Sequence, residues 1–350
     1  MKILLDAMGG DNAPAEMVRG AVQAAETYDA DIVLIGDEER IRTAATELQL
    51  DLNKKNLQIV HAPSAVDMED SALSVVREKS DSSMALGLHM LSEGQGDAFV
   101  SAGNTGALHA GSSLIVRRIR GIRRSAIASV LPFEKPVLLV DSGANIEVDP
   151  SHLHQFAMIG SIYMNKIFGI ERPQVGLLNN GTEPTKGGKI LQEAYALLSG
   201  DESVNFVGNV EGKQLPFGAC DVLVTDGFTG NILLKTTEGV ASFLMSKMKG
   251  LFKQNLITKV SALPILSGVK KLKKDFDASE YGGAPLLGLT KPVIKAHGSS
   301  DARAVVNAVR QAISFVETGV IVEIVRQLKA QSEREQAAQT VQEAGTAGQA

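Results

Sequence analysis

Short apolar runs alternate along the chain with longer stretches in which apolar residues recur at helical spacing. The short runs lack polar alternation, which is typical of parallel strands buried on both faces. Alternating strands and helices of this kind predict an α/β fold, with a mostly parallel, doubly wound sheet between two layers of helices. The predicted strands are Lys2–Leu5, Asp31–Ile35, Leu57–Val60, Asp97–Ser101, Val137–Val140, Gln174–Leu178, Val204–Val207, Asp221–Thr225 and Val293–Ala296.

Two helices carry clear sequence signals. Asp149 followed by Pro150 predicts an N-cap and a proline in the first turn. A second helix is predicted from an apolar stripe formed by Val240, Phe243, Leu244, Met248, Leu251 and Phe252. From about Gln331 the chain is rich in Gln, Ala and Glu, so we expect one α/β domain over 1–330 and a disordered tail over 331–350.

Composition narrows the class of protein. The 350 residues are 44% hydrophobic and carry a formal net charge of −5, so a full core is expected and general nucleic-acid binding is not. The chain starts directly in a predicted strand without a signal-peptide pattern, and no apolar run reaches the ~20 residues of a membrane span. A cytoplasmic protein is predicted. Cys220 precedes a strand and is interpreted as a buried apolar residue rather than a nucleophile.

Glycines cluster in polar loops directly after six predicted strands. In an open parallel sheet ligands bind at the carboxyl ends of the strands, so we expect these loops to converge on one edge. Glycine lets backbone N–H groups approach an anion, and a helix that begins there adds positive potential. The loops are Asp6–Asp11, Ser101–Gly106, Asp141–Asn145, Asn179–Lys186, Asp226–Asn231 and His297–Ser300.

One such loop alone is more often a plain turn than a binding site, but six together favour a binding cleft. The chain has no G-x-G-x-x-G after its first strand and no G-x-x-x-x-G-K-[ST]. The expected anion is therefore free phosphate or a phosphorylated group, without a nucleotide cofactor. No metal site is predicted. His152 and His154 lie on nearly opposite faces of a helix. Asp6 and Asp11 suit a cation site, but they suit the orientation of loop backbone equally well.

Two basic segments each leave two interpretations open. Residues 250–274 mix apolar side chains with lysines around Pro264, which suits either a protruding helical hairpin on an anionic membrane surface or a core helix pair with a solvated face. The run Arg117-Arg118-Ile-Arg120-Gly-Ile-Arg123-Arg124 either docks an acidic partner or ends a solvated helix.

The motifs together resemble the bacterial PlsX family, the phosphate acyltransferases that use acyl-(acyl carrier protein). The matching stretches run in family order from residue 1 to about 325: Asp6-Ala-Met-Gly-Gly-Asp11-Asn-Ala-Pro14, Ser101-Ala-Gly-Asn-Thr-Gly106, Asp141-Ser-Gly-Ala-Asn145, Asp226-Gly-Phe-Thr-Gly-Asn231, Gly282-Gly-Ala-Pro-Leu-Leu-Gly288 and His297-Gly-Ser-Ser300. The resemblance implies an isopropylmalate-dehydrogenase-like α/β/α sandwich that acts as a homodimer.

The activity implied by the resemblance is reversible transfer of a long-chain acyl group from the carrier-protein thioester to inorganic phosphate. The acyl phosphate would pass to a glycerol-3-phosphate acyltransferase for phosphatidic acid and phospholipid synthesis. The family is peripheral at the inner face of the cell membrane, which favours membrane attachment through 250–274. Its carrier protein is acidic, which favours the arginine run as a docking segment.

Acyl transfer to phosphate needs an anion site, donors to the oxyanion and close alignment, but no protein nucleophile. The resemblance implies Lys186 and Asn231 as catalytic residues. His297 is expected either to orient phosphate, to relay a proton or to cap its own turn. The residues expected to bind phosphate or substrate, or to pin the loops that do, are Asp6, Gly9, Gly10, Asp11, Ser101, Gly103, Asn104, Thr105, Gly106, Asp141, Asn145, Asn180, Gly230 and Ser299.

Three other functions compete with this one. A short-chain phosphotransacetylase would use coenzyme A instead of a carrier protein. A decarboxylating dehydrogenase of the same fold would need a nicotinamide site and usually a divalent metal. A non-catalytic membrane scaffold would leave the polar loops without a purpose.

Overall fold

The computed structural model describes residues 1–252, 268 and 278–347. Its strands form one eleven-stranded sheet in the order β3-β2-β1-β4-β11-β10-β5-β6-β9-β7-β8. The strands are β1 (Lys2–Asp6), β2 (Asp31–Gly36), β3 (Leu57–His61), β4 (Ala98–Ser101), β5 (Ala126–Leu131), β6 (Val137–Val140), β7 (Gln174–Leu178), β8 (Asn205–Val210), β9 (Val222–Val224), β10 (Ala284–Leu287) and β11 (Val293–Lys295).

Helices flank the sheet on both faces. The α-helices are α1 (Ala15–Thr27), α2 (Glu38–Glu47), α3 (Ser83–Ser92), α4 (Thr105–Gly111), α5 (Pro150–Phe168), α6 (Lys189–Ser199), α7 (Gly227–Phe252), α8 (Ala302–Glu317) and α9 (Val320–Ala347). One π-turn continues α4 over Ser112–Val116, and short 3-10 turns occupy Ser74–Val76, Gly212–Phe217 and Ala278–Tyr281.

Strand direction reverses in the middle of the sheet. Strands β1, β2, β3, β4 and β11 pair in parallel, and so do β6, β7, β8 and β9. Between these two groups, β10 is antiparallel to β11, β5 is antiparallel to β10, and β6 is antiparallel to β5. Three successive reversals leave the two parallel groups pointing in opposite directions.

Every strand predicted from the apolar runs is present, and the mostly parallel α/β sandwich is confirmed. Strands β5 and β10 were not predicted. Pro285 inside β10 weakens its strand signal because proline cannot donate to a ladder. These two strands are the ones that reverse the sheet, so their omission affects the expected position of the loops.

The core lies on both sides of the sheet. Side chains alternate along each strand, so that Ile3 and Leu5 face one helix layer and Leu4 faces the other. Helices α1, α2, α5, α6, α8 and α9 cover the first face, and α3 and α4 cover the second. A smaller cluster under α7 completes the second face beside β5, β6 and β9.

Helix α5 begins as the sequence predicts. The Asp149 side chain accepts hydrogen bonds from the backbone N–H groups of Ser151 and His152, and the His152 ring completes a capping box. Pro150 occupies the first turn, where its missing N–H costs nothing. Gly169 ends the helix in the left-handed conformation at φ 70°.

Two of the later helices, α7 and α9, bear on the sequence predictions. The predicted apolar stripe does lie on a helix, α7, but Val240, Phe243 and Leu244 are each more than half exposed. Helix α9 continues to Ala347, over residues where the sequence predicts a disordered tail, because Ala, Gln and Glu are good helix formers.

Most of the predicted hairpin over 250–274 lies outside the described residues. None of the helices within the described ranges combines the length and the apolar character needed to cross a bilayer.

Phe156 anchors α5 in the first core layer and is fully buried. We expect Phe156→Ala to cost about 3–5 kcal/mol because it removes a packed ring and leaves a cavity. Thermal unfolding followed by circular dichroism checks this. Phe217→Ala, at a ring that is 86% exposed, is the matched control and should change Tm little. Equal losses at both positions would contradict the described core.

Candidate active site

Three polar loops meet at the carboxyl ends of β1, β4 and β11, which are neighbours in the sheet. The backbone N–H of Asp11 donates to the Gly298 carbonyl at 2.8 Å, and the Asn12 amide donates to the Ser299 carbonyl at 3.2 Å. A side chain at Gly9 would lie 2.6 Å from the Gly103 nitrogen, so only glycine allows this approach. The predicted convergence therefore holds for these three loops.

Asp6 is the buried anchor of this group. Its carboxylate accepts hydrogen bonds from the hydroxyls of Ser83 at 2.6 Å and Ser101 at 2.7 Å, and from the Met8 N–H at 3.1 Å. Burial raises the pKa of the Asp6 carboxyl, and these hydrogen bonds oppose the rise. Asp6 thus pins the loops, one of the roles that the sequence left open for it.

The side chains of Ser101 and Asn104 are also engaged inside the protein. The Ser101 hydroxyl accepts from the Gly103 N–H at 3.1 Å while it donates to Asp6. The Asn104 side chain caps α4 by accepting from the Ala107 N–H, and its amide donates to the carbonyls of Asp67, Met68 and Asp70. The predicted phosphate loop is consequently held from within, with Thr105 and Gly106 at its outer side.

The loops after β6 and β9 form a second group at the other end of the sheet. Asp141 is fully buried, and its carboxylate accepts from the backbone N–H groups of Ile127, Gly143, Ala144 and Asn145 and from the Asn145 amide. Asn145 also donates to the Ser125 carbonyl at 2.8 Å. These two predicted site residues therefore organise the loop through its own backbone.

Helix α7 begins directly against this loop. A side chain at Gly230 would collide with the Asp141 carbonyl, and the Gly227 N–H donates to the Asn145 carbonyl at 2.7 Å. Asn231 follows directly after Gly230 in α7, and it is exposed with its side chain next to Gly143. Gly230 is thus needed for close packing, and Asn231 presents its amide at the surface.

Lys186 and Asn180 lie in the loop after β7, the neighbour of β9. Both side chains are exposed, and the Lys186 stem passes over Gly181. The loop is held by the Asn179 amide, which donates to the Lys186 carbonyl at 3.2 Å, and by the Asn209 amide, which donates to the Glu183 carbonyl at 2.8 Å. An exposed lysine on a fixed loop can move its charge toward a bound anion.

The expectation that all six loops share one edge is wrong. The loops after β1, β4 and β11 leave one end of the sheet, and the loops after β6, β7 and β9 leave the other. The cause is the reversal of strand direction through β10 and β5. If one anion site uses both groups of loops, another element must connect the two groups.

Helix α7 supplies that connection. It starts among the second group of loops and packs along β5 and β6. Two turns further on, the Lys235 ammonium nitrogen lies 3.4 Å from Nε2 of His297 in the first group. His297 is fixed by Ser299, whose hydroxyl lies 2.9 Å from Nδ1 and whose backbone N–H also donates to Nδ1. The α7 segment from Asn231 to Lys235 thus lies beside Gly143 of one loop group at its start and beside His297 of the other at its end.

Sequence reasoning missed two lysines near this segment. Lys235 lies four residues after Asn231, a spacing that places both on one face of a helix. Lys295 is the one charged residue in the apolar run Val293–Ala296, and it is buried. Its ammonium donates to the carbonyls of Ala102 and Ala296, and burial lowers its pKa to about 8 against the opposing charges of Asp6 and Asp11.

The cysteine and the two histidines for which the sequence predicts neither catalysis nor metal binding have structural roles. Cys220 is buried, and burial raises the pKa of its thiol to about 12, which leaves it without nucleophilic character. His152 belongs to the cap of α5, whereas the Nε2 of His154 lies 2.7 Å from the Asp201 carboxylate.

Comparison with known proteins identifies the family. The family model described as "Fatty acid synthesis protein" matches residues 1–323. A phosphate acyltransferase from Thermoanaerobacter pseudethanolicus is 46% identical over 323 residues, which cover 92% of this chain and 95% of that protein. One from Anoxybacillus flavithermus is 47% identical over 92% of this chain and 96% of its own length. The chain belongs to the PlsX family of phosphate acyltransferases.

Membership of the PlsX family makes the chain an acyltransferase enzyme of fatty acid and phospholipid synthesis. Solved structures are similar in fold. A phosphotransacetylase from Streptococcus pyogenes superposes with a TM-score of 0.62 at 18% identity, covering 91% of this chain and 94% of that one. A 4-hydroxythreonine-4-phosphate dehydrogenase from Klebsiella pneumoniae gives 0.53 at 13% identity, covering 90% and 99%. The expected sandwich, shared by phosphotransacylases and dehydrogenases, is confirmed.

The buried Asp141 carboxylate provides a test of the described loop. In Asp141→Asn an amide N–H₂ would face backbone N–H donors, so we expect a loss of about 2–5 kcal/mol. Asp149→Asn is the matched control, because Asn caps a helix as well as Asp does. Thermal unfolding of both variants measures the difference. An unchanged Tm in Asp141→Asn would contradict a carboxylate saturated by backbone donors.

Proposed function

We propose that this phosphate acyltransferase moves a long-chain acyl group reversibly from the thioester of acyl carrier protein to inorganic phosphate. The observation that carries the proposal is the exposed amide of Asn231 near the start of α7, at the same end of the sheet as the exposed Lys186. Both residues are the donor types that a phosphate anion and a developing oxyanion require. The relatives named phosphate acyltransferase support the reaction class.

The chemistry is a single displacement at the thioester carbonyl. An oxygen of hydrogen phosphate attacks the carbonyl carbon, the carbonyl oxygen becomes negative, and the carbon–sulfur bond then breaks. The phosphate proton goes to the departing thiolate, so the products are acyl phosphate and the thiol of the carrier protein. In this scheme Lys186 and Asn231 stabilise the negative oxygens, and alignment of the two substrates supplies much of the acceleration.

The second candidate is a short-chain phosphotransacetylase, which the similar fold of the phosphotransacetylase structures favours. The two differ in the acyl donor. Thiol release should be measured from palmitoyl-carrier protein and from acetyl-coenzyme A, each with and without phosphate. Phosphate-dependent release from the carrier protein alone supports the proposal, and release from acetyl-coenzyme A alone overturns it.

We expect Lys186→Ala and Asn231→Ala each to lower kcat at least ~100-fold, because each removes a donor to negative charge in the transition state. Both residues are exposed, so Tm should stay near that of the unmodified protein. Acyl phosphate is measured by trapping with hydroxylamine. Lys189→Ala, at a nearby side chain that is 90% exposed, serves as the control. Turnover by Lys186→Ala equal to that of this control would remove Lys186 from the reaction.

Several partners belong to the same proposal. The five arginines between 117 and 124 are all exposed, which suits docking of an acidic carrier protein by charge complementarity. The enzyme is proposed to act as a homodimer and to supply acyl phosphate to a glycerol-3-phosphate acyltransferase. Peripheral attachment to the inner face of the cell membrane would keep this long-chain product near that acceptor.

Attachment is proposed to use residues 250–274. The described part of α7 that leads into them already exposes Val240, Phe243, Leu244 and Leu251. Deletion of 263–266 removes four residues, three of them apolar, while it keeps the lysines. We expect the deletion to abolish flotation with anionic liposomes and to leave acyl-phosphate formation in solution intact. Flotation equal to that of the intact chain would contradict this attachment site.

A further inference from the structure

One face of α7 connects the two groups of loops. Asn231 and Lys235 are four residues apart, so their side chains lie on the same side of the helix, about 6 Å from each other. Asn231 lies beside Gly143 of the loop after β6. The Lys235 ammonium lies beside His297 of the loop after β11.

The contact between Lys235 and His297 is not an ordinary hydrogen bond. The backbone N–H of Ser299 donates to Nδ1 of His297 at 3.3 Å, and a backbone N–H can only donate. Nδ1 must therefore accept, and a neutral imidazole then carries its proton on Nε2. Desolvation of the ring and the adjacent Lys235 charge both lower the pKa of His297, which favours the neutral ring.

Two donors consequently face each other. Nε2 of His297 and Nζ of Lys235 lie 3.4 Å apart. Both atoms carry hydrogen, and neither can accept a hydrogen bond from the other. Such a pair is satisfied when one anionic oxygen accepts from both. We propose that Lys235 and His297 together bind a phosphate oxygen, and that Lys235 is the principal cation of the phosphate site.

The surrounding charges fit a site that exchanges its counter-ion. Glu238 pairs with Lys235 at 2.8 Å, one turn further along α7. Both side chains are more than a third exposed, so this ion pair contributes little to stability. A phosphate dianion can therefore replace Glu238 as the counter-ion of Lys235. The charged groups that interact with His297 are Lys235 and Lys295, which are positive, and Asp11 and Glu238, which are negative.

The inference rests on the proposed function and assigns its phosphate site. A phosphate held between Lys235 and His297 lies one helical turn from Asn231. The Asn231 amide can then reach the carbonyl oxygen of a thioester that phosphate attacks. This placement gives His297 the orienting role among the alternatives that the sequence left open.

The test compares Lys235→Met, which keeps the apolar stem but removes the charge, with Lys235→Arg and Glu238→Gln. KM for phosphate is measured with the acyl donor saturating, and Kd for inorganic phosphate by calorimetry. We expect Lys235→Met to raise both about tenfold or more, the usual worth of a hydrogen bond to a charged group. Lys235→Arg should recover most of the affinity. Glu238→Gln should lower KM about two- to fivefold, because it removes the competing counter-ion.

Lys329→Met is the matched control. Lys329 is 79% exposed on α9 and pairs with Glu333 one turn away, so the substitution should leave KM for phosphate unchanged. A Lys235→Met variant that binds phosphate like this control overturns the inference. Calorimetry keeps the two claims apart, because an enzyme without phosphate-dependent turnover refutes the proposed function whether or not Lys235 governs phosphate binding.

Discussion

Strands β10 and β5 each run antiparallel to both of their neighbours, and this arrangement divides the sheet into two parallel halves that point in opposite directions. Ligands of parallel sheets bind at the carboxyl ends of strands. Here those ends lie at two separate places, so neither half alone brings all the polar loops together. A site that uses both groups of loops depends on the element that joins them.

Helix α7 is that element. Each group of loops is held by a buried aspartate at the end of a strand: Asp6 is the last residue of β1, and Asp141 directly follows β6. Both carboxylates accept hydrogen bonds from donors of the protein itself, so they fix the loops. The exposed donors, Asn231, Lys235 and His297, then lie along one face of α7 or directly against it. In the proposed phosphate site, rigid anchors would hold these exposed donors in place before the substrate binds.

Apolar runs predicted nine of the eleven strands in the described part of the chain, because strands buried on both faces leave an unmistakable pattern. The two missing strands had large consequences: without β5 and β10 the sheet is expected to run in one direction, and all six loops are placed on one edge. Residue type also could not separate scaffold from ligand-binding groups. Asn104 and Asp141 have the chemistry of binding residues, yet their hydrogen bonds are internal. Lys235 becomes visible only when the register of α7 against His297 is known.

In the proposed reaction an oxygen of inorganic phosphate attacks the acyl carbonyl directly, and isotopic labelling tests this step. The enzyme should be incubated with palmitoyl-carrier protein and phosphate carrying ¹⁸O in all four positions, and the products analysed by mass spectrometry. Direct attack predicts palmitoyl phosphate that retains all four labelled oxygens, released together with the carrier-protein thiol. Unlabelled palmitate as the first product, formed at a rate independent of phosphate, would contradict the account.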